Sequence, residues 1–364
     1  MTPEQPDAKH EFPCQQCGAN LVFSPGEGGL KCEYCGHEQS LGSEDDQPVV
    51  EYDFAQAVAQ AQRRPARDLV EGGHEVRCDG CGARTVLASE AGRCPFCDSP
   101  VVMVQDTEEI FTPENLLPFQ VEEKQAREAF KSWVSSRWFA PNDLSMRARR
   151  EGMDGVFLPY WTYDSETRTS YTGQRGEHYY VTEEYEDANG DRQTRRVRKT
   201  RWYPAFGTVY CSFDDVLVSA TSALPRKLLE ALEPWDLEAL VAYAPGYLSG
   251  FLANRYDVGL EAGFDVAEDR MEPVIRNQIR RDIGGDDQRI HTTRIQHSDV
   301  RFKHFLLPLW ISSFRYNDKV YRFLVNARTG EPAGERPYSA VKIALAVIAG
   351  LIVIGIIVYL LQGK

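Results

Sequence analysis

Two N-terminal four-cysteine zinc ribbons, an α+β region with signs of a duplicated unit, and one C-terminal transmembrane helix are the architecture this sequence predicts. Three observations carry it. Eight of the nine cysteines fall in the first 97 residues as four C-x2-C pairs, short likenesses recur between the two halves of the middle, and residues 343–361 contain no charge.

The uncharged run fixes how the cysteines are read. Nineteen residues from Ile343 to Leu361 rise ~28 Å as a helix, against a hydrocarbon core of about 30 Å. A buried core helix would keep a polar face, and this one has none. Only Gln362, Gly363 and Lys364 follow, so a single span is expected, with all preceding residues on one side. Arg336 and Lys342 flank its start, and residues 1–7 lack the basic and apolar regions of a signal peptide. The expected location is therefore the cell (inner) membrane with the N-terminal bulk in the cytoplasm. Thiols there stay reduced and bind metal more often than they form disulfides.

Residues 1–12 are polar and expected to be disordered. A first ribbon is predicted over 13–40: Cys14-Gln-Gln-Cys17-Gly18 and Cys32-Glu-Tyr-Cys35-Gly36 each place two thiolates on one ion, and the glycine takes the turn a side chain would obstruct. Leu21-Val-Phe23 and Gly28-Gly29-Leu30 supply its hairpin. Residues 41–73 form a linker with one short helix from Phe54, capped by Asp53 and ended near Pro65. A second ribbon follows over 74–104, with Cys78-Asp-Gly-Cys81-Gly82, the strand Arg84-Thr-Val-Leu87, and Cys94-Pro-Phe-Cys97. One C-x2-C in isolation could be a redox pair, but no βαβ pattern accompanies these. Two quartets predict two structural Zn2+ ions, held by Cys14, Cys17, Cys32 and Cys35 and by Cys78, Cys81, Cys94 and Cys97. His37 and His74 are read as bystanders, and the ninth cysteine, Cys211, as a small buried residue.

A first α+β unit is expected over 105–250 and a second over 251–338. Val121 to about Arg137 has helical apolar spacing, Phe157-Leu-Pro-Tyr-Trp161 reads as a strand, and 179–202 as a hairpin about Asn189-Gly190. A two-residue loop there would set Glu184 opposite Arg195 and Glu183 opposite Arg196. Val266, Met271, Val274, Ile275 and Ile279 share a helical face, which Pro273 is expected to bend or divide. Leu306-Leu-Pro-Leu-Trp310 resembles the 157–161 stretch, and Phe264-Asp-Val266-Ala-Glu268 resembles Phe119-Gln-Val121-Glu-Glu123. The last part, 339–364, is the tail anchor.

Residues 1–110 hold 20 Asp and Glu against 8 Lys and Arg. That balance repels phosphates and argues against nucleic acid as a partner. No G-x4-G-K-[ST] loop is present, the one Gly-Lys pair being Gly363-Lys364, and no HExxH or GxSxG motif occurs. The reading is that of a protein without catalytic residues.

The two cysteine quartets, the Asp53-Phe-Ala helix, the Leu-Pro-x-Trp strands, Asn326-Ala-Arg-Thr-Gly-Glu331, Gly334-Glu-Arg-Pro337 and the apolar tail together resemble a family. It comprises bacterial tail-anchored proteins with transcription-factor-IIB-type zinc ribbons, often labelled phage replication or helicase-like proteins. The resemblance covers nearly the full chain. It implies a membrane-anchored adaptor or scaffold in envelope stress that recruits stomatin-like (SPFH) or phage-shock-type proteins. A zinc-ribbon nucleic-acid-binding factor linked to transcription or replication is the alternative.

Overall fold

The computed structural model describes residues 12–41, 49–61, 74–78, 83–87, 91–97, 100–103, 113–141, 152–186, 191–317 and 319–362. The N-terminal eleven residues, Cys81, the basic cluster Arg147, Arg149 and Arg150, and the Asn189-Gly190 turn lie outside them.

Two long strands dominate: β10 (Asp154–Glu186) and β14 (Asp287–Tyr316), antiparallel from Asp154↔Ile311 to Gly176↔Asp287. Strand β11 (Arg192–Ser219) returns along β10, and β15 (Lys319–Asn326) along β14. The central region is thus mostly sheet with few helices, where the sequence suggests a more even α+β mixture. The reason lies in residues 163–171, whose burial alternates strictly: Tyr163, Ser165, Thr167, Thr169 and Tyr171 are buried between exposed or half-buried neighbours. Serine and threonine occupy inward positions of a half-buried strand, so hydropathy alone reads the segment as loop.

Helix α1 spans Phe54–Ala61, and Asp53 caps it through Oδ1, which accepts the Gln56 N–H at 2.7 Å. Helix α2 is Glu123–Ser135, with Ala126, Phe130, Trp133 and Val134 buried. A short helix α3, Arg226–Glu230, precedes the 24-residue helix α4, Leu260–Ile283. Pro273, expected to bend or divide this segment, stands inside one continuous α4. It sits on the exposed side, where the carbonyl it leaves unpaired can be hydrated. The buried face is the ladder Gly263, Ala267, Met271, Ile275, Ile279 and Ile283, and Val274 points to solvent. At Gly263 an added Cβ would collide with the Tyr163 hydroxyl, which donates to Leu260 O at 2.7 Å. Glycine is what lets α4 lie on β10 there.

Beyond Gly176 and Trp202 the β10–β11 hairpin continues without β14. Its register differs by one residue from that of a two-residue loop: Glu183 faces Arg195, Thr182 faces Arg196, and Glu186 pairs with Arg192. The acidic strand still meets the basic one, with Lys199 Nζ 2.9 Å and Arg195 3.6 Å from Glu183. Arg196 lies over Tyr180 at 4.9 Å and Arg201 over Tyr179 at 5.1 Å. At ~3.3 Å per residue, β10 reaches on the order of 100 Å from its first residue to the hairpin end.

An approximate two-fold axis passes through the Leu158–Leu307 pair. Phe157 pairs with Pro308 and Pro159 with Leu306, so the two Pro-Trp segments face each other. Short strands β9 (Asn115–Leu116) and β13 (Leu252–Asn254) are exchanged: β9 runs parallel to β14, and β13 parallel to β10. Trp161 Nε1 donates to Val258 O at 2.9 Å, and Trp310 Nε1 to Val121 O at 2.7 Å. Gln120 and Val121 donate N–H groups to Ala327 O, as Asp257 and Val258 do to Ala220 O. These contacts make Val121 the counterpart of Val258. The upstream likeness of 119–123 to 264–268 is therefore misaligned, since Phe264 lies inside α4 whereas Phe119 precedes α2.

The last element, helix α5, is Ala340–Gln362. It is long and apolar enough to cross a membrane, and none of its apolar window is buried against the body.

Candidate metal centres

In the first cluster, strands β1 (Leu21–Ser24) and β2 (Gly29–Cys32) form an antiparallel hairpin between the two knuckles. Each knuckle is closed by backbone bonds. Cys14 N–H donates to Ala19 O and Gly18 N–H to Cys14 O, and Cys32 N–H to His37 O and Gly36 N–H to Cys32 O, all within 2.7–2.9 Å. Gly18 and Gly36 both have φ of +74°, a conformation open to glycine at no steric cost. The four sulfurs converge within 4.8 Å of one another, with Cys14–Cys35 at 3.5 Å and Cys17–Cys32 at 3.4 Å. All four thiols are free. Sulfurs on a tetrahedral zinc at ~2.3 Å would stand roughly 3.8 Å apart, so the donor set fits such an ion.

The thiols cannot all ionise unaided. Backbone N–H groups of Cys35 and Tyr34, against burial, hold the Cys32 thiol down to about 6. For Cys35 the His37 N–H acts downward, but desolvation and the three neighbouring sulfurs outweigh it and push the thiol up to about 12. A divalent cation supplies the charge that lets four thiolates share one site.

The ribbon is also docked on the sheet domain. Phe23 N–H donates to Ser249 O at 3.0 Å, Ser249 Oγ to Leu21 O at 2.6 Å, and the Phe23 ring lies 5.3 Å from Tyr247.

In the second cluster, Cys78, Cys94 and Cys97 are buried with their sulfurs within 4.8 Å of one another, Cys78–Cys97 at 3.4 Å. Cys78 N–H donates to Ala83 O at 2.8 Å, repeating the i to i+5 bond of both first-cluster knuckles. The fourth predicted ligand, Cys81, lies outside the described residues. Strand β6 (Arg84–Leu87) joins the large sheet by pairing with β13. The Phe96 ring is fully buried, its carbonyl accepting Arg322 Nε at 2.7 Å, and Pro95 O accepts Ser313 Oγ at 3.0 Å. Both clusters are thus built into the body. His37 stands outside the first cluster, and the His74 side chain lies outside the described residues.

No family model matches this chain, and no solved structure matches it. A similar protein is the uncharacterized protein YdjG of Bacillus subtilis (strain 168), 24% identical over 339 residues, 92% of each chain. That likeness extends over nearly the whole architecture.

A third group, this one acidic and made of Asp164, Asp214 and Asp215, was not visible in the sequence because a strand irregularity between Tyr163 and Ser165 assembles it. It already holds a cation: Lys303 Nζ lies 2.6 Å from Asp215 and 3.2 Å from Glu51. Burial lowers the Lys303 pKa, but Asp215 and its acidic neighbours overcome that and raise it. The arrangement is an ion-pair network.

Proposed function

We propose that this protein is a membrane-anchored adaptor, a zinc-stapled scaffold that positions protein partners at the cell membrane from the cytoplasmic side. The observation that carries the reading is α5, a 22-residue apolar segment exposed on every face and joined to a sheet domain whose core is complete without it. A bilayer is the environment that removes such a surface from water. Zinc is the metal that suits four thiolates in a tetrahedral, reducing site. With all four positions filled by sulfur, the ion has no place for a substrate or activated water. It staples the ribbons and leaves the chemistry of binding to protein surfaces, so the protein is read as non-catalytic. By the family resemblance, the partners are stomatin-like (SPFH) or phage-shock-type proteins of envelope stress. In the basic stretch 195–201, which would favour the nucleic-acid alternative, Arg195 and Lys199 are engaged with Glu183, and Arg196 and Arg201 lie over tyrosine rings.

Deleting residues 340–362 should move the protein from the membrane fraction to the soluble one and release its co-purifying partners from the membrane. Fractionation with affinity purification measures both. Partners that stay at the membrane after the deletion would rule out the adaptor role.

A further inference from the structure

The loop after α2 is tied to the first turn of α5. Ser339 N–H donates to Phe139 O at 2.8 Å, and Lys342 Nζ reaches Ala140 O at 2.7 Å. These bonds hold Trp138 and Phe139, whose rings lie 5.5 Å apart, level with the start of the apolar helix. Trp138 is 75% exposed, an unusual placement for a tryptophan with no protein surface over it. Tyr338, also exposed, lies under the Arg336 guanidinium at 5.1 Å on the segment that enters α5. Indole and phenol rings concentrate at the headgroup level of bilayers, where an apolar ring and a polar N–H or O–H are both satisfied.

We infer that the Trp138–Phe139 loop is a second membrane contact, inserting into the headgroup layer of the bilayer that α5 spans and fixing the tilt of the sheet domain on it. This rests on the anchor reading of α5. The loop and the helix are far apart in sequence, so the contact exists only in the folded protein. A hinge at Pro337 alone would leave the domain free to swing, whereas two points of attachment restrain it.

The chain suits a direct test, because α5 contains no tryptophan. Of the other five tryptophans, Trp133, Trp161 and Trp310 are buried, Trp235 is half-buried with its ring 6.4 Å from Tyr160, and Trp202 lies on the long hairpin under Arg289. Full-length protein would be reconstituted in phosphatidylcholine–phosphatidylglycerol vesicles carrying lipid brominated at the top or the middle of its acyl chains. Insertion is checked separately by resistance to alkaline carbonate. The expected result is a partial loss of tryptophan emission, larger with the upper bromines, that disappears in Trp138→Phe. Inserted protein whose emission is unaffected by bromines, or whose quenching survives Trp138→Phe, would overturn the loop contact and leave the anchor standing. Protein extracted by carbonate would overturn both.

Discussion

Replacing Cys32 by serine should cost the chain one metal ion and unfold the first ribbon while the large sheet persists. The apolar core of that ribbon amounts to little more than Leu21, Phe23 and Leu30, too little to hold so small a unit against chain entropy. A bound zinc ion would supply the difference, on the order of 10 kcal/mol or more in zinc-finger peptides. Serine keeps the shape but cannot act as a thiolate, and Cys32 is the ligand whose ionised form the backbone favours most clearly. Metal content per chain, with hydrogen exchange over 21–32, checks this. Retained metal and unchanged protection of the Phe23 amide, bonded to Ser249 O, would sink the assignment. Acid should act in the same direction as the substitution, because ligation requires deprotonated sulfur and affinity falls as pH falls.

Trp161→Ala and Trp310→Ala should each destabilise the sheet domain by about 3–5 kcal/mol. Trp161 is fully buried, its ring tilted against His304 at 4.3 Å and edge-on to Tyr256 at 5.5 Å. Trp310 is 6% exposed and lies 5.3 Å from Phe119. Each indole closes a hydrogen bond to the other half, so truncation leaves both a cavity and an unpaired carbonyl. Trp→Phe should cost less, retaining most of the volume. Urea unfolding of detergent-solubilised protein measures both series. A loss below ~1 kcal/mol at either site would show that the two-fold core is not where stability resides.

The parts legible in the sequence are those set by local spacing. The cysteine knuckles, the Asp53 cap, the α2 stripe and the uncharged tail each need fewer than 25 residues to declare themselves. The Pro-Trp likeness was visible for the same reason. What stayed hidden depends on partners distant in the chain. Strands β9 and β13 are two and three residues long, and the equivalent positions Leu116, opposite Leu306, and Ala253, opposite Phe157, share no side-chain signature, so the correct alignment of the halves emerges only from their hydrogen bonds. The 33 residues of β10 contain Thr, Arg and Glu in a pattern that becomes a strand against α4, about a hundred residues later. The Asp164 network likewise joins positions with no common motif, and the ribbons read as beads on a linker although both are sewn into the domain.

The exchange of β9 and β13 across the two-fold also bears on descent and dissection. A half-length progenitor could have met its twin about the same axis as a homodimer, and joining the two copies in tandem would have made that encounter permanent. Severed today, neither portion would possess its own parallel neighbour, and a faithful refold would require both fragments in the same vessel.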